Sequence, residues 1–196
     1  VLYIREQSCT GEQLACNDDV DPATPQSRVL MRDLTVGQRF LIVVDGKNEN
    51  GDFPLNINRC TDSRCTCPSS DIGTALGSPV TTDATSDHFD DMHGSCGGKG
   101  SREHTFHWEA PHNGTFAISV QNQTFSSVLY ILEGDCRGRE IACNHYSSPQ
   151  EISLLNVFAG QEFVFVVDGQ YGSSGQFELH IEECIGPQCT CPRIDL

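Results

Sequence analysis

The chain has 196 residues, 37% of them hydrophobic, and it carries a formal net charge of −15 at pH 7. This charge argues against a nucleic-acid-binding protein, which needs a basic face, and no apolar run approaches the roughly 20 residues of a membrane-spanning helix. Eleven cysteines indicate an oxidising, extracellular environment. We therefore predict a secreted or cell-surface protein with at least one hydrophobic core.

The predicted secondary structure is β-strand along the whole chain. β-Branched and aromatic residues recur between glycine-containing turns, and polar and apolar residues alternate clearly over 53–57 and 177–181. No long window carries a helical period. In chain order the predicted strands are 28–34, 38–45, 52–58, 74–80, 104–109, 114–121, 127–132, 151–158, 162–168 and 176–182. Strands at this spacing predict an all-β protein made of β-sandwich or jelly-roll domains.

The sequence repeats itself with a period of about 125 residues. Val-Leu-Tyr-Ile occurs at 1–4 and 128–131, Val-Val-Asp-Gly at 43–46 and 166–169, and Cys-Thr-Cys-Pro at 65–68 and 189–192. A period of this length is that of a domain. We predict the second half of one unit at 1–64, a complete unit at 65–188 and the start of the next at 189–196. On this interpretation the natural chain is longer on both sides.

Several segments of the complete unit resemble the bacterial pre-peptidase C-terminal (PPC) domains and their cysteine-rich relatives. They are Gly-Thr-Phe at 114–116, Ser-Ser-Val-Leu-Tyr at 126–130, the stretch 134–144 and the stretch 160–169. The resemblance covers 72–184 in full and 1–60 as a half. It implies small β-sandwich modules attached to secreted proteins, often peptidases, or arrayed in surface proteins, and it implies no catalytic residues.

The cysteine spacings predict disulfides, because two cysteines bond only when their Cα atoms come within about 7 Å. We predict hairpin bonds Cys9–Cys16 and Cys136–Cys143, bonds across the unit boundaries Cys60–Cys65 and Cys184–Cys189, and Cys67–Cys96 inside the complete unit. Cys191 then has no partner in this chain. Zinc binding by the closely spaced cysteines is the alternative interpretation.

Two groups of oxygen-bearing side chains could bind Ca²⁺, the one cofactor that the sequence suggests. The first is Asp18, Asp19 and Asp21, and the second is Asp45, Asn48, Asn50 and Asp52. Ordinary turn chemistry is the alternative for both groups. The first acidic corner is absent from the second copy, where Asn144 is followed by His145 and Tyr146, so a cation role would not be shared by both copies.

Histidines suggest a second kind of metal site. His88, Asp90, Asp91 and His93 lie close together in the sequence and could hold a transition metal, or they could be a solvated loop. His104 and His107 lie on one predicted strand at odd spacing. They therefore face opposite sides and are poor joint ligands.

Asn113 and Asn122 each begin an Asn-X-Thr triplet, and both are candidate glycosylation sites if the source glycosylates secreted proteins. No catalytic motif occurs in the sequence. The segment Gly94-Ser95-Cys96-Gly97-Gly98 is faintly similar to a protease nucleophile loop, but a disulfide accounts better for Cys96. We therefore predict that the chain is not an enzyme.

The predicted function is that of a non-catalytic extracellular structural or adhesive repeat protein, which could be the subunit of a surface filament. Its partners would be neighbouring copies of the same repeat or an extracellular polymer. The alternative is an accessory module that binds a substrate or carbohydrate on behalf of a secreted hydrolase.

Overall fold

The computed structural model describes residues 1–18, 26–32, 34–46, 50–59, 66–145 and 150–185. Its regular elements are all β-strands, which confirms the predicted all-β class. Within these ranges no helix is long and apolar enough to cross a membrane. The chain divides into two compact units, Val1–Cys60 and Thr61–Leu196.

The first unit contains one three-stranded antiparallel sheet in the order β2-β1-β3. Its strands are β1 (Leu2–Glu6), β2 (Gln13–Asn17) and β3 (Phe40–Val44). Leu2 lies opposite Asn17 on one side and opposite Val44 on the other. The predicted strand 38–45 therefore forms, but the predictions for 28–34 and 52–58 are wrong, because the described residues of both segments lie outside any strand.

The second unit is a β-sandwich of a four-stranded and a five-stranded sheet. Its strands are β4 (Ser70–Asp71), β5 (Gly77–Ala84), β6 (Glu103–Glu109), β7 (Gly114–Gln121), β8 (Ser127–Glu133), β9 (Glu140–Asn144), β10 (Gln150–Val157), β11 (Glu162–Gly169) and β12 (Gln176–Glu183). The sheet orders are β10-β7-β12-β5 and β4-β6-β11-β8-β9. Neighbouring strands are antiparallel except β4 and β6, which are parallel.

The main core fills the space between the two sheets. Trp108 and Phe165 come from the five-stranded sheet, and Phe116, Phe177 and Ile181 come from the four-stranded sheet. Side chains alternate between the two faces of a strand, so every second residue enters this core. Complete burial of one such side chain contributes about 1.5–3 kcal/mol, which makes this core the main source of the unit's stability.

A second, smaller core lies on the other face of the five-stranded sheet. Val128, Tyr130 and Leu132 of β8 pack there with Val164 and Val166 of β11. The loop that joins β5 to β6 (residues 85–102, the β5–β6 loop) contributes side chains that cover this face. Because β8 and β11 are buried on both faces, their sequences are apolar almost without interruption.

Candidate functional site

Two disulfides join the β8–β9 hairpin of the second unit to the segment before β4 and to the β5–β6 loop. Cys67 bonds to Cys136 and Cys96 bonds to Cys143, with Cα–Cα distances of 5.9 and 5.8 Å. Met92, Cys96, Cys136 and Cys143 pack together against the second core. The bonds therefore connect the front half of the unit, up to β7, to its back half.

The predicted bonds Cys136–Cys143 and Cys67–Cys96 are wrong. Cys143 lies opposite Tyr130, well inside the hairpin, whereas Cys136 lies in the turn beyond Glu133. Cys143 lies three residues beyond Glu140, where β9 begins, and this separation is about 10 Å at the usual rise along a strand. A disulfide from Cys143 cannot span that distance to the turn that contains Cys136. Cys143 is bonded instead to Cys96 of the β5–β6 loop, and Cys136 is bonded to Cys67 in the segment before β4.

The predicted bond Cys9–Cys16 is also wrong, because both thiols are free and exposed. The β1–β2 hairpin has the geometry of β8–β9, and Cys16 lies opposite Tyr3. Cys184 is disulfide-bonded. The other cysteines of the predicted boundary bonds, Cys60, Cys65 and Cys189, lie outside the described residues, as does Cys191.

Apolar residues that are buried in the second unit are exposed at the equivalent repeat positions of the first unit. The segment 52–59 corresponds by repeat to β12. Its side chains are exposed to 58% at Phe53, 47% at Leu55 and 75% at Ile57, whereas the counterparts Phe177, Leu179 and Ile181 are exposed to 1%, 0% and 0%. Phe53 and Leu55 line an open cavity of about 920 Å³. The first unit therefore carries both an exposed apolar segment and two free thiols.

Three carboxyl groups come close together where the β5–β6 loop meets the five-stranded sheet, namely Asp168 of β11, Glu103 of β6 and Asp90 of the loop itself. Asp168 and Glu103 are buried, and burial raises the pKa of both well above the ordinary value. Burial and repulsion from Asp91 raise the pKa of Asp90 to about 6. The Asp91 amide donates to both carboxylate oxygens of Glu103, at 3.0 and 3.1 Å. These acids are destabilising when they are ionised, so they make the unit sensitive to pH.

Asp168 is the most isolated of the three acids. Within the described part of the chain, neither of its carboxylate oxygens has a hydrogen-bond partner. Gly98 passes directly over the carboxylate with a positive φ of 98°, and a side chain at this position would collide with it. The repeat places Asp45 at the equivalent position of the first unit, where it is exposed.

A cluster of potential metal ligands lies at one end of the sandwich. Asp83, His88 and His104 each present a ligand atom, and these atoms all lie within 4.8 Å of one another. Asp83 is the second-last residue of β5, His104 is the second residue of β6, and His88 lies in the loop between these strands. The Nδ1 atom of His104 lies 3.5 Å from Oδ2 of Asp83.

His88 and His93, which the sequence suggested as joint metal ligands, lie in different surroundings. His93 is exposed, whereas His88 is buried beside His104, with ring centroids 3.9 Å apart. His107 lies away from His104 and contacts Asp71 at 3.1 Å, in line with the odd spacing on one strand. Sequence reasoning did not predict the cluster, because its members come from three segments that only the sandwich brings together.

The remaining predicted sites are described only in part. Asp18 lies 4.0 Å from the amino terminus, whereas Asp19 and Asp21 lie outside the described residues, so Ca²⁺ binding there stays a prediction. Asn113 and Asn122 flank β7 and are exposed. The Asn113 Oδ1 accepts a hydrogen bond from the Ala159 amide, and the Asn122 amide group donates to Glu178. Their glycosylation also stays a prediction.

Comparison with solved protein structures finds chains that are similar to this one. The pre-peptidase C-terminal domain of the collagenase from Bacillus anthracis is 17% identical in sequence, with a TM-score of 0.38 over 58% of this chain and 93% of that one. It is the kind of domain that the sequence motifs resemble. No protein-family model and no curated protein sequence matches the chain.

Proposed function

We propose that this protein is an extracellular structural or adhesive repeat protein whose units are completed by joining a back half to a front half. One observation carries the proposal. Cys9 and Cys16 are free and the apolar residues Phe53, Leu55 and Ile57 are exposed, although their repeat counterparts are bonded to, or buried against, the front half of the complete unit.

The partner that fits this surface is a front half of the same type as residues 66–127. In the second unit this segment supplies β5 and β7, which pair with β12, and also Phe106 and Trp108 of β6, which lie in the core that Phe177 enters. It also supplies Cys67 and Cys96, the partners of Cys136 and Cys143. Burial of each exposed Phe, Leu or Ile would contribute about 1.5–3 kcal/mol, and added strands would pair by main-chain hydrogen bonds.

An extended chain tests this proposal. A second copy of residues 66–127 is placed directly before Val1, so that the junction reproduces the one before Val128. We expect the added Cys67 to bond to Cys9 and the added Cys96 to bond to Cys16, as seen by peptide mapping without reduction. We also expect amide hydrogens of 52–58 to become protected from exchange. The matched control carries Cys9→Ser and Cys16→Ser, which should keep part of the protection without the bonds.

Two results would overturn this function. One is a Cys9–Cys16 bond in the extended chain, and the other is continued rapid exchange at 52–58. Electron microscopy of the native material then tests the filament itself. Regular filaments that lose order in reductant support a disulfide-joined fibre, and monomeric particles in both conditions contradict it.

A different observation favours the second candidate, an accessory module that binds an extracellular polymer. Leu155 and Phe158 are exposed beside a groove of about 430 Å³ that lies between β9 and β10, the edge strands of the two sheets. Apolar side chains next to a concave surface are typical of ligand sites. Sedimentation of the chain with insoluble polysaccharides or collagen tests this function, which predicts that Phe158→Ser abolishes binding.

A further inference from the structure

We propose that Asp83, His88 and His104 form a binding site for a divalent transition-metal ion, with Zn²⁺ as the best candidate. Two imidazole nitrogens and one carboxylate oxygen make a ligand set that suits zinc, which is bound by three protein groups in many sites and by a water molecule in the fourth position. This inference is independent of the proposed completion of the first unit, since all three residues belong to the second.

The spacing of the ligand atoms is close to what such an ion needs. They lie within 4.8 Å of one another, and ligands at about 2.0–2.1 Å from a tetrahedral ion are about 3.3 Å apart. His104 Nδ1 and Asp83 Oδ2, 3.5 Å apart, already have nearly this separation. Asp83 has 39% of its side chain exposed, so it can turn toward the ion and leaves a path from solvent.

The surroundings fix the orientation of His104. Its Nε2 hydrogen-bonds to Ser70 Oγ at 2.8 Å, and its ring is stacked between Phe106 at 4.1 Å and His88 at 3.9 Å. When Nε2 donates its hydrogen to Ser70, the lone pair of Nδ1 points toward Asp83. A second hydrogen bond of this kind is how metal-binding histidines are usually held.

The Nδ1 atom of His104 is unusual because it is buried and has no hydrogen-bond partner among the described residues. A buried polar atom without a partner costs about 1–3 kcal/mol, and a lone pair that faces a carboxylate adds repulsion. A cation between Nδ1 and Asp83 would remove both costs.

His180, a second buried histidine of the same sandwich, has a structural role and serves as a comparison. His180 Nδ1 hydrogen-bonds to Ser78 at 2.7 Å, and its Nε2 lies 3.3 Å from Glu178, so both nitrogens have partners. His104, by contrast, hydrogen-bonds through Nε2 alone within the described part of the chain, and its Nδ1 faces the Asp83 carboxylate 3.5 Å away. The contrast distinguishes a ligand-binding histidine from one that only fills the fold.

The remaining ligands are also held by the fold. Asp83 Oδ1 accepts the Ala84 amide at 2.8 Å, which leaves Oδ2 to face His104. The His88 amide donates to Thr85 at 3.1 Å in a turn that returns the loop toward β6. A bound ion would therefore tie β5 of one sheet and β6 of the other to the start of the loop that covers the second core.

Zinc titration of the full chain tests the site. The free thiols are first removed by Cys9→Ser and Cys16→Ser, because they could bind zinc themselves, and trace metal is removed with a chelator. We expect calorimetry to show one Zn²⁺ per chain and thermal unfolding to shift to higher temperature. Asp83→Asn and His88→Gln should each weaken binding about tenfold or more. Asp71→Asn and His107→Gln, which change an exposed acid–histidine pair nearby, should leave it unchanged.

Cobalt gives an independent measurement. Co²⁺ in a tetrahedral site with nitrogen and oxygen ligands absorbs strongly in the visible region, and Zn²⁺ should displace that absorption. Absence of binding would overturn the proposal, as would binding that survives both Asp83→Asn and His88→Gln, or binding that is lost in His107→Gln. Trp108 fluorescence shows in each case that the variant is folded.

Discussion

The two copies of the back half, 1–59 and 127–184, share their motifs but differ in structure. Both form the same hairpin and the same third strand with the same register, since Leu2 and Leu129 lie opposite Asn17 and Asn144, and opposite Val44 and Val167. Among the described residues, only the second copy forms the strands that correspond to 28–34 and 52–59, namely β10 and β12.

The difference follows from where the hydrogen-bond partners are. β10 pairs with β7, and β12 pairs with β7 and β5, all outside the back half. By contrast, β1, β2 and β3 find their partners within it. An alternating sequence is therefore necessary for these strands but not sufficient, because an isolated strand cannot satisfy its backbone groups.

The largest difference in stability should come from one phenylalanine of the repeat, which is Phe177 in the second copy and Phe53 in the first. Phe177→Ala should destabilise the second unit by about 3–5 kcal/mol, because it leaves a cavity among side chains of both sheets. Phe53→Ala should cost less than about 0.5 kcal/mol, because that ring is largely exposed. Calorimetry of both variants checks this, and a cost at Phe53 as large as at Phe177 would mean that 52–58 is packed in solution.

Removal of the disulfides should give the next largest effect. Cys96→Ser with Cys143→Ser should lower the free energy of unfolding by about 2–5 kcal/mol, as is typical of small secreted domains. The matched pair Cys9→Ser with Cys16→Ser should change it by less than about 0.5 kcal/mol. Denaturant unfolding is followed by far-UV circular dichroism, which reports the strands of both units, and by the fluorescence of Trp108, the one tryptophan, which reports the second unit. Equal losses in the two pairs would contradict the assignment of bonded and free cysteines.

The smallest effect should appear as a pH dependence that separates Asp168 from Asp45. Because the pKa of Asp168 is raised in the folded state, its contribution to stability is complete below about pH 4 and is lost as the pH rises through the folded pKa. Asp168→Asn should remove part of this loss, so that stability falls less between pH 4 and pH 8 than it does in the unaltered chain.

Glu103 and Asp90, whose pKa values are also raised, should keep some of the pH dependence in that variant. Asp45→Asn is the control and should leave the profile unchanged. Unfolding at a series of pH values from 4 to 8 provides the measurement. A profile that is identical in Asp168→Asn and the unaltered chain would show that this carboxylate is solvated.

The sequence predicts much of the second unit and less of its sites. Alternation and turn glycines locate β6, β7, β8, β10, β11 and β12 to within one residue at each end. β5 is displaced from the predicted 74–80, because an edge strand with polar Thr and Asp residues has a weak apolar pattern. The short strands β4 and β9 carry too few residues for a periodic signal.

The Cys96–Cys143 bond and the cluster of Asp83, His88 and His104 could not be predicted from a sequence pattern, for one common reason. Both depend on the β5–β6 loop, whose sequence has no periodicity and whose path over the second core is fixed by long-range packing. Cys96 reaches Cys143 and His88 reaches His104 only because this loop folds back onto the five-stranded sheet. Spacing along the chain favours near neighbours such as Cys136 and Cys143, and here it led to the wrong partner.

The two disulfides also have a consequence for proteolysis outside the cell. Cys67 and Cys96 precede the segment 97–135, and their partners Cys136 and Cys143 follow it. A protease that cuts the backbone once anywhere in this segment therefore leaves two fragments that two covalent bonds still hold together. The exposed turn at 122–126 between β7 and β8, which includes Asn122 with its positive φ, can thus be nicked without release of either half.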